Sequence, residues 1–273
     1  MSSPHIAFIG AGNMAGSIIG GLVGAGHPAD HIRAADPYPP SLEKLAEIAP
    51  VRVAASNAEA ADGADVVILA VKPQVMADAV DSIAGAVAAS GALVISIAAG
   101  VTIDAIQARL GADAAIVRCM PNTPALLGCG ASGLYANAQV NEVQRGYAVQ
   151  ILDAVGITTW VDSEAALDAI TALSGSGPAY FFLFMEGMIA AGEKLGLPAD
   201  VAARMAMQTG LGAARMALEN DVELAELRRR VTSPGGTTER AVQSFQADGL
   251  DATIERAMQA AADRAAEMAR EMG

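Results

Sequence analysis

The sequence predicts an α/β protein, with an N-terminal Rossmann-type doubly wound sheet followed by an all-helical C-terminal domain. In the first half, short apolar runs alternate with longer Ala-rich segments of helical period, which is the rhythm of a parallel sheet covered by helices. A glycine-rich loop directly follows the first apolar run. After about Asp162, strand patterns disappear while helical periodicity continues. We therefore expect two domains, at residues 1–162 and 163–273.

Five runs in the first half are apolar on both faces, as expected for strands of a parallel sheet that is covered on both sides. These predicted strands are residues 6–9, 32–35, 66–71, 93–97 and 116–119. Helical patterns at 14–25, 41–48, 74–89 and 102–110 separate them. Residues 132–135 and 157–161 are expected to add edge strands around a helix near 141–155.

Helical patterns fill the rest of the chain, and Gly and Pro residues separate them. The predicted helices are residues 165–173, 179–195, 199–218, 224–231, 238–246 and 250–272. Pro198 stands at the position where proline commonly opens a helix. The second domain is therefore expected to contain helices alone.

Composition limits the partners that we expect. The net charge of -13 argues against nucleic acid and anionic membranes. Hydrophobic residues make up 53% of the chain, and the mean hydropathy is +0.37. Such values predict that another subunit, rather than water, covers part of the apolar surface. We expect a small-molecule substrate and a homo-oligomer.

The cysteines and histidines exclude several kinds of site. Cys119 and Cys129 lack metal-ligand spacing, and we expect buried, reduced thiols. His5, His27 and His31 are the only histidines, so we expect neither a Ser-His-Asp triad in the later chain nor a metal site.

The chain is also expected to be cytoplasmic. The segment before the first apolar run is too short for a signal peptide. The longest apolar stretch, residues 179–191, contains Glu186 and falls short of the ~20 residues that a membrane span needs.

The first glycine loop has the pattern of a dinucleotide site. Gly10 permits a tight turn, Gly12 lets the backbone approach a pyrophosphate, and the small Ala15 lets helix and strand pack closely. The N-terminus of the following helix would face the phosphates. A glycine turn without a ligand is the weaker alternative, because the loop lies between a strand and a helix.

The acidic residue expected about 20 positions further on is Asp36. By the usual rule, Asp36 holds a ribose 2′-hydroxyl and favours NAD. Arg33 lies nearby, however, and Asp36 could instead cap the helix that starts near Ser41. The residues alone leave the choice between NAD and NADP open.

Three further turns are predicted at the same edge of the sheet. Lys72 projects where one strand ends, and residues 98–100 form a small turn that would approach the nicotinamide. Two prolines flank Asn122 and Thr123 after another strand. Each motif alone fits a plain turn, but ligands bind at the carboxyl ends of such strands, so together they favour a site.

A second glycine loop comprises Ser233, Pro234, Gly235, Gly236, Thr237 and Thr238. A threonine could cap the following helix, while the glycines free main-chain N–H groups for an anion such as a carboxylate. A capped interhelical loop is the alternative. Residues 174–178 form a similar small, hydroxyl-containing helix start, in which Ser176 could line a narrow pocket.

At these residues the chain resembles the pyrroline-5-carboxylate reductases over essentially its whole length. The motifs that carry the resemblance are FIGAGNM at 8–14, AVKP at 70–73, SIAAG at 96–100, RCMPNTPA at 118–125, SGSGPAY at 174–180 and SPGGTT at 233–238.

The resemblance implies reduction of 1-pyrroline-5-carboxylate to proline by a nicotinamide hydride, the last step of proline biosynthesis. It also implies a helical substrate-binding and dimerisation domain that interlocks with a partner subunit, in a homodimer that could assemble further. NADPH is usual in the family and NADH is possible here, because Asp36 departs from the usual residues at the end of the second strand.

The resemblance also implies roles for individual residues. Substrate contacts would fall on Ser233, Gly235, Gly236, Thr237 and Thr238, with Thr238 nearest the ring nitrogen, and we add Ser176 as a pocket residue. The expected cofactor-binding residues are Ile9, Gly10, Ala11, Gly12, Asn13, Met14, Asp36, Asn57, Ala70, Val71, Lys72, Pro73, Ala98, Ala99 and Gly100.

Two other functions compete with this interpretation. The β-hydroxyacid dehydrogenases share the two-domain plan but use a lysine early in the helical domain, and no lysine follows Gly177 until Lys194. A cofactor-sensing binding protein would explain the first loop but not the second. A purely structural helical dimeriser needs no Gly10-x-Gly12 loop at all.

Overall fold

The computed structural model describes residues 3–272. Contacts divide the chain into two compact units. One comprises the described residues up to Ser176 together with those from Ala260 onwards, and the other is Gly177–Gln259.

The first unit is built on one sheet of eight strands in the order β3-β2-β1-β4-β5-β6-β7-β8. The strands are β1 Ile6–Ile9, β2 Ile32–Ala35, β3 Arg52–Val53, β4 Val66–Leu69, β5 Leu93–Ser96, β6 Ile116–Met120, β7 Gly130–Ala136 and β8 Gly156–Trp160. All neighbours pair in parallel except β6 and β7, which are antiparallel. The predicted doubly wound sheet is therefore confirmed.

Helices alternate with these strands and then continue alone. In the first unit they are α1 Asn13–Gly24, α2 Pro39–Ile48, α3 Asn57–Ala61, α4 Met76–Ser90, α5 Ile103–Leu110, α6 Glu142–Asp153 and α7 Ala166–Ile170. The later helices are α8 Gly177–Lys194, α9 Ala199–Glu219, α10 Leu224–Arg230, α11 Thr237–Ala247 and α12 Leu250–Met272. The end of α12 belongs to the first unit.

Alternating strand residues pack on opposite faces of the sheet. Phe8 lies in one apolar cluster with Ile18 of α1, while Ile9 lies in a second cluster with Val80 of α4. Burying each such side chain stabilises the fold by about 1.5–3 kcal/mol relative to exposure. The central strands carry no exposed residue, which is why they appear in the sequence as continuous apolar runs.

The predicted boundaries differ from the structure in a few places. The strands predicted at 66–71 and 93–97 end earlier, at Leu69 and Ser96, because the chain turns towards the edge of the sheet there. The short elements β3 and α3 were not predicted, because both β3 residues are exposed and α3 has only five residues. Strand β7 is not an edge strand, since it lies between β6 and β8.

The first unit extends beyond the last strand. Leu167 of α7 is fully buried, and a π-helical turn at Thr171–Gly175 follows it. The loss of strand patterns predicted after residue 162 coincides with the end of β8 at Trp160. The compact unit itself continues to Ser176.

The second unit consists of helices, and its apolar side chains are largely exposed in the single chain. Gly192 of α8 packs closely on Ala202 of α9, since a Cβ at Gly192 would lie 3.3 Å from the Ala202 Cβ. Large apolar residues that remain exposed on these two helices include Phe181, Phe182, Leu183, Phe184, Met205, Met207 and Leu211. An apolar surface of this kind marks an interaction site.

Two further features concern the chain as a whole. Among residues 3–272, no helix is both long and apolar enough to cross a lipid bilayer. Both cysteines are free. Cys119 is buried as expected, whereas the expectation of a buried Cys129 is wrong, because this residue follows Gly128 in the exposed turn before β7.

Candidate active site

The predicted cofactor residues of the first unit meet at one edge of the sheet. Strands β1 to β6 run parallel, so the turns that follow them emerge on the same side. The main chain joins these turns directly. Gly10 N donates to Ala35 O over 2.8 Å, Ala70 N donates to Ile9 O over 2.8 Å, and Ile97 N donates to Leu69 O over 3.2 Å.

The first glycine loop has the shape that a dinucleotide needs. Gly10 has φ +99°, and a Cβ there would lie 2.6 Å from the Ala70 carbonyl oxygen, so only glycine fits. Gly12 precedes α1 without a side-chain cap, and a Cβ on Gly12 would meet no atom within 4 Å. The N–H groups of the first turn lack intrahelical partners, and the space beside Gly12 is open, so this loop fits a pyrophosphate.

Asp36 braces this loop. Its Oδ2 accepts a hydrogen bond from Ala11 N at 2.8 Å, and its Oδ1 accepts one from Tyr38 N at 2.8 Å. Both carboxylate oxygens are therefore bound to main-chain N–H groups. Asp36 lies at the end of β2 as predicted, but its contacts in this structure are structural.

The nearby cations have different partners. Arg33 donates to the carbonyl oxygens of Glu59 and Asp62, so its guanidinium is committed to the main chain around α3. Lys44 of α2 donates to Asn13 Oδ1 at 3.1 Å and lines, with Gly12, a cavity of about 330 Å³ beside α1. Sequence reasoning missed Lys44, although a basic residue on the helix after β2 is a usable signal for phosphate binding.

Asn57 and Lys72 also follow strands at this edge. Asn57 is the first residue of α3 and donates from Nδ2 to Ser82 Oγ at 3.0 Å. Lys72 is exposed and precedes a 3-10 turn at Pro73–Val75. The turn after β5 contains Gly100, which has φ +78°.

The side chain of Asn122 makes hydrogen bonds within the first unit and does not open into a pocket. Its Nδ2 donates to Ser174 O at 3.0 Å, and its Oδ1 accepts from Ala131 N at 2.9 Å. The site role considered for this buried amide is therefore not supported, because both of its polar atoms have partners within the unit. Its bond to Ser174 ties the turn after β6 to the π-helical turn.

The π-helical turn brings Ser176 near the end of β6. Ser176 N donates to Thr171 O at 2.8 Å, and a Cβ on Gly175 would lie 2.6 Å from Met120 Cε. Turns of this kind are frequent at functional sites. The sequence signals the turn only through its small residues.

The second glycine loop lies in the other unit and opens α11. Gly235 has φ +73°, and its N–H donates to Glu239 Oε2 at 2.8 Å. Gly236 N donates to Ser233 O at 3.0 Å, and a Cβ on Gly236 would overlap Ser233 Oγ at 2.5 Å. The loop is thus closed by its own residues.

The predicted threonine cap is wrong. Gly236 is the residue that precedes α11, and no side chain caps this helix. Thr237 and Thr238 are the first two residues of the helix, where main-chain N–H groups lack intrahelical partners. These two N–H groups, rather than those of Gly235 and Gly236, are available to an anion.

The buried cysteine is not a candidate nucleophile. Burial raises the pKa of the Cys119 thiol to about 12, partly opposed by a hydrogen bond with Ser132. The thiol therefore remains protonated and is a poor nucleophile. Within residues 3–272, no cluster of His, Cys, Asp or Glu side chains could hold a metal ion.

Comparison with known proteins assigns the family. Residues 164–268 match the model of pyrroline-5-carboxylate reductase dimerisation, and residues 5–100 match that of the NADP oxidoreductases, coenzyme F420-dependent. The chain is 57% identical to the pyrroline-5-carboxylate reductase of Pseudomonas aeruginosa over 273 residues, which is all of both chains.

The chain belongs to the pyrroline-5-carboxylate reductase family. It catalyses the final step of proline biosynthesis, the reduction of 1-pyrroline-5-carboxylate to proline. This excludes the dehydrogenase, sensor and purely structural alternatives. The dimerisation domain indicates a homodimer, which accounts for the exposed apolar residues of α8 and α9.

Solved structures agree with this assignment. A pyrroline-5-carboxylate reductase from Coxiella burnetii superposes with a TM-score of 0.95 at 42% identity, covering 97% of this chain and 98% of that one. The Plasmodium falciparum pyrroline carboxylate reductase with NADP bound has a TM-score of 0.84 at 29% identity, covering 98% of this chain and 99% of that one. The reductase is an NADP-binding oxidoreductase.

Proposed function

We propose that the two glycine loops divide the work of the reductase, the first holding the cofactor and the second holding the substrate. The observation that carries this proposal is that each loop opens a helix whose first N–H groups have no side-chain cap. Such groups favour anions. The pyrophosphate of NADPH and the carboxylate of pyrroline-5-carboxylate are the anions that these two sites would receive.

The first loop binds the pyrophosphate of NADPH through main-chain groups of Gly12, Asn13 and Met14. Ile9, Gly10 and Ala11 set the position of the loop. Asn57 and Lys72 contribute polar groups at the same edge. NADPH supplies a hydride when it is bound. Residues 70–73 and 98–100 line the reacting end, where small residues permit close approach.

In the second loop, main-chain N–H groups of Thr237 and Thr238 bind the substrate carboxylate. Ser233, Gly235 and Gly236 hold the loop in shape, and Ser176 contributes to the pocket. Thr238 Oγ hydrogen-bonds the ring nitrogen, which is protonated in the iminium form. The ring carbon accepts the hydride and the C=N electron pair moves to nitrogen, giving the secondary amine of proline without a further acid.

We prefer NADPH to NADH, because the carboxylate of Asp36 is engaged by Ala11 and Tyr38. We assign substrate binding and dimerisation to residues 163–273, of which those up to Ser176 and from Ala260 onwards pack within the first unit. The dimer assembles into higher homo-oligomers, and the protein is cytoplasmic.

Substitution of Thr238 tests the mechanism. Thr238→Ala is expected to lower kcat/KM for pyrroline-5-carboxylate by ~10–100-fold, which is about 1.4–2.8 kcal/mol of transition-state stabilisation. The Kd for NADPH should not change. Thr237→Ala is the matched control, because its main-chain N–H remains and its hydroxyl is not assigned to the nitrogen.

A decrease of less than about twofold in Thr238→Ala would remove Thr238 from the mechanism. Steady-state rates with NADPH and NADH, measured side by side on the unmodified protein, test the cofactor preference. A higher kcat/KM with NADH would overturn it.

A further inference from the structure

The end of the last helix lies directly on the turn that follows β5. A Cβ built on Gly100 would be 3.1 Å from Met268 Cβ and 3.4 Å from Met272 Sδ. Gly100 and Val101 are buried, with Val101 only 2% exposed. Since Ala265 of the same helix is also buried, the final turns of α12 form part of the packed first unit.

The same helix end reaches the turn that follows β4. Met272 lines a cavity of about 300 Å³ together with Pro73 and Val101. Pro73 belongs to the turn after β4, and Val101 directly follows Gly100. The end of α12 therefore borders both turns assigned to the reacting end of the cofactor.

The far end of the β5 turn is anchored separately. Glu164 Oε1 accepts hydrogen bonds from Ile103 N at 2.9 Å and from Arg118 Nη1 at 3.0 Å. This ion pair is largely shielded from solvent, with the Arg118 side chain 7% exposed. The start of α5 is thus fixed to β6, and the segment between Gly100 and Ile103 is held at both ends.

Arg270, near the end of α12, also interacts electrostatically with Asp168 of α7. Burial raises the pKa of the Asp168 carboxyl, Glu164 raises it further, and the nearby charges of Arg118 and Arg270 lower it. Arg270 lies between Met268 and Met272 in the sequence. The last turns of α12 therefore have an electrostatic neighbour in the first unit in addition to their apolar contacts.

We propose that the end of α12, residues 265–272, is a strap that holds the turn 98–101 in its cofactor-binding conformation. Met268 and Met272 are its positioning residues. A glycine at positive φ has many other conformations available, and a turn ordered in advance binds its ligand without the entropic cost of ordering. This inference rests on the proposed use of that turn by the nicotinamide end of NADPH.

The strap predicts a selective defect in cofactor binding. Met272→Ala removes the sulfur that lies on Gly100 and should raise the Kd for NADPH by about fivefold to thirtyfold. About one residue would then become ordered when the cofactor binds rather than when the chain folds. The Kd for 2′-phospho-ADP-ribose, which lacks the nicotinamide, should stay within about twofold of the unmodified value. Titration calorimetry on the full chain measures both constants.

Two variants serve as controls. Met272→Leu conserves volume and should restore NADPH binding. Met258→Ala removes a half-buried methionine from the part of α12 outside the first unit and should leave both constants unchanged. If Met272→Ala does not fold, Met272→Val, which also lacks the sulfur but keeps an apolar side chain, takes its place with the same expected result.

The outcomes are distinguishable. An unchanged Kd for NADPH in the variant, equal weakening of both ligands, or the same defect in Met258→Ala would overturn the strap. If the unmodified protein does not bind NADPH, the proposed cofactor use fails as well. If the unmodified protein and Met272→Ala bind NADPH with the same Kd, only the strap is refuted.

Discussion

The two glycine loops open helices in the same way but are supported differently. In the first, Gly10 packs on Ala70 of a neighbouring strand end, and Ala11 is held by Asp36, which lies 25 residues away. In the second, Gly235 is held by Glu239, four residues away, and Gly236 by Ser233. Distant parts of the sheet brace the first loop, while the second is braced by its own turn.

This difference bears on how each loop performs its function. A loop fixed by a buried sheet presents its N–H groups in one arrangement before the ligand arrives, which lowers the cost of binding. The second loop is held by its own residues on a helical unit with few buried side chains. Its conformation therefore depends more on the groups that pack over it. We expect loss of the long-range contacts of the first loop to lower the free energy of unfolding more than loss of the local contacts of the second.

The largest expected effect is that of Gly10→Ala. A positive φ costs a non-glycine residue of order 1–3 kcal/mol, and the Cβ would also overlap the Ala70 carbonyl oxygen. We expect a loss of about 3 kcal/mol or more in the free energy of unfolding, measured in urea, together with loss of NADPH binding.

Gly12→Ala is the matched control, because Gly12 has φ -70° and a Cβ there meets no atom within 4 Å. Its free energy of unfolding should change by less than about 1 kcal/mol, while its NADPH affinity falls because the methyl group occupies the space left for the pyrophosphate. Equal destabilisation by both substitutions would contradict the close packing of Gly10.

An intermediate effect is expected for Asp36→Ala. The substitution leaves the buried Ala11 N–H without its acceptor, which costs about 1–3 kcal/mol of unfolding free energy. Asp30 is an exposed acidic residue before β2, and Asp30→Ala should change the free energy of unfolding little. If Asp36→Ala weakened only NADH binding and left stability unchanged, Asp36 would be a ribose ligand rather than a brace of the loop.

The smallest effect is expected for Glu239→Ala. The Gly235 N–H that it releases can bond to water instead, so the unfolding free energy should fall by about 0.5–1 kcal/mol. Glu239→Gln keeps an acceptor oxygen and should resemble the unmodified protein. A loss larger than that of Asp36→Ala would reverse the proposed difference between the loops.

The common placement of the candidate cofactor residues could be predicted, because these residues follow buried strands. The runs before Gly10, Ala70 and Ala98 are apolar throughout, and parallel pairing then brings their ends to one edge. The threonine cap could not be corrected from sequence, because Ser, Thr and Gly all suit the position before a helix. Asn122 likewise looks polar and available until its partners, Ser174 and Ala131, are known.

The sequence by itself determined the alternation of the longer strands and helices, the two glycine loops and the family, since these depend on local patterns and motifs. Only the tertiary structure decided that Asp36 braces the first loop, that Arg118 pairs with Glu164, and that the end of α12 lies on Gly100. Each of these contacts joins residues far apart in the chain, and no local pattern encodes the partner of a distant side chain. The packing of the folded sheet selects it.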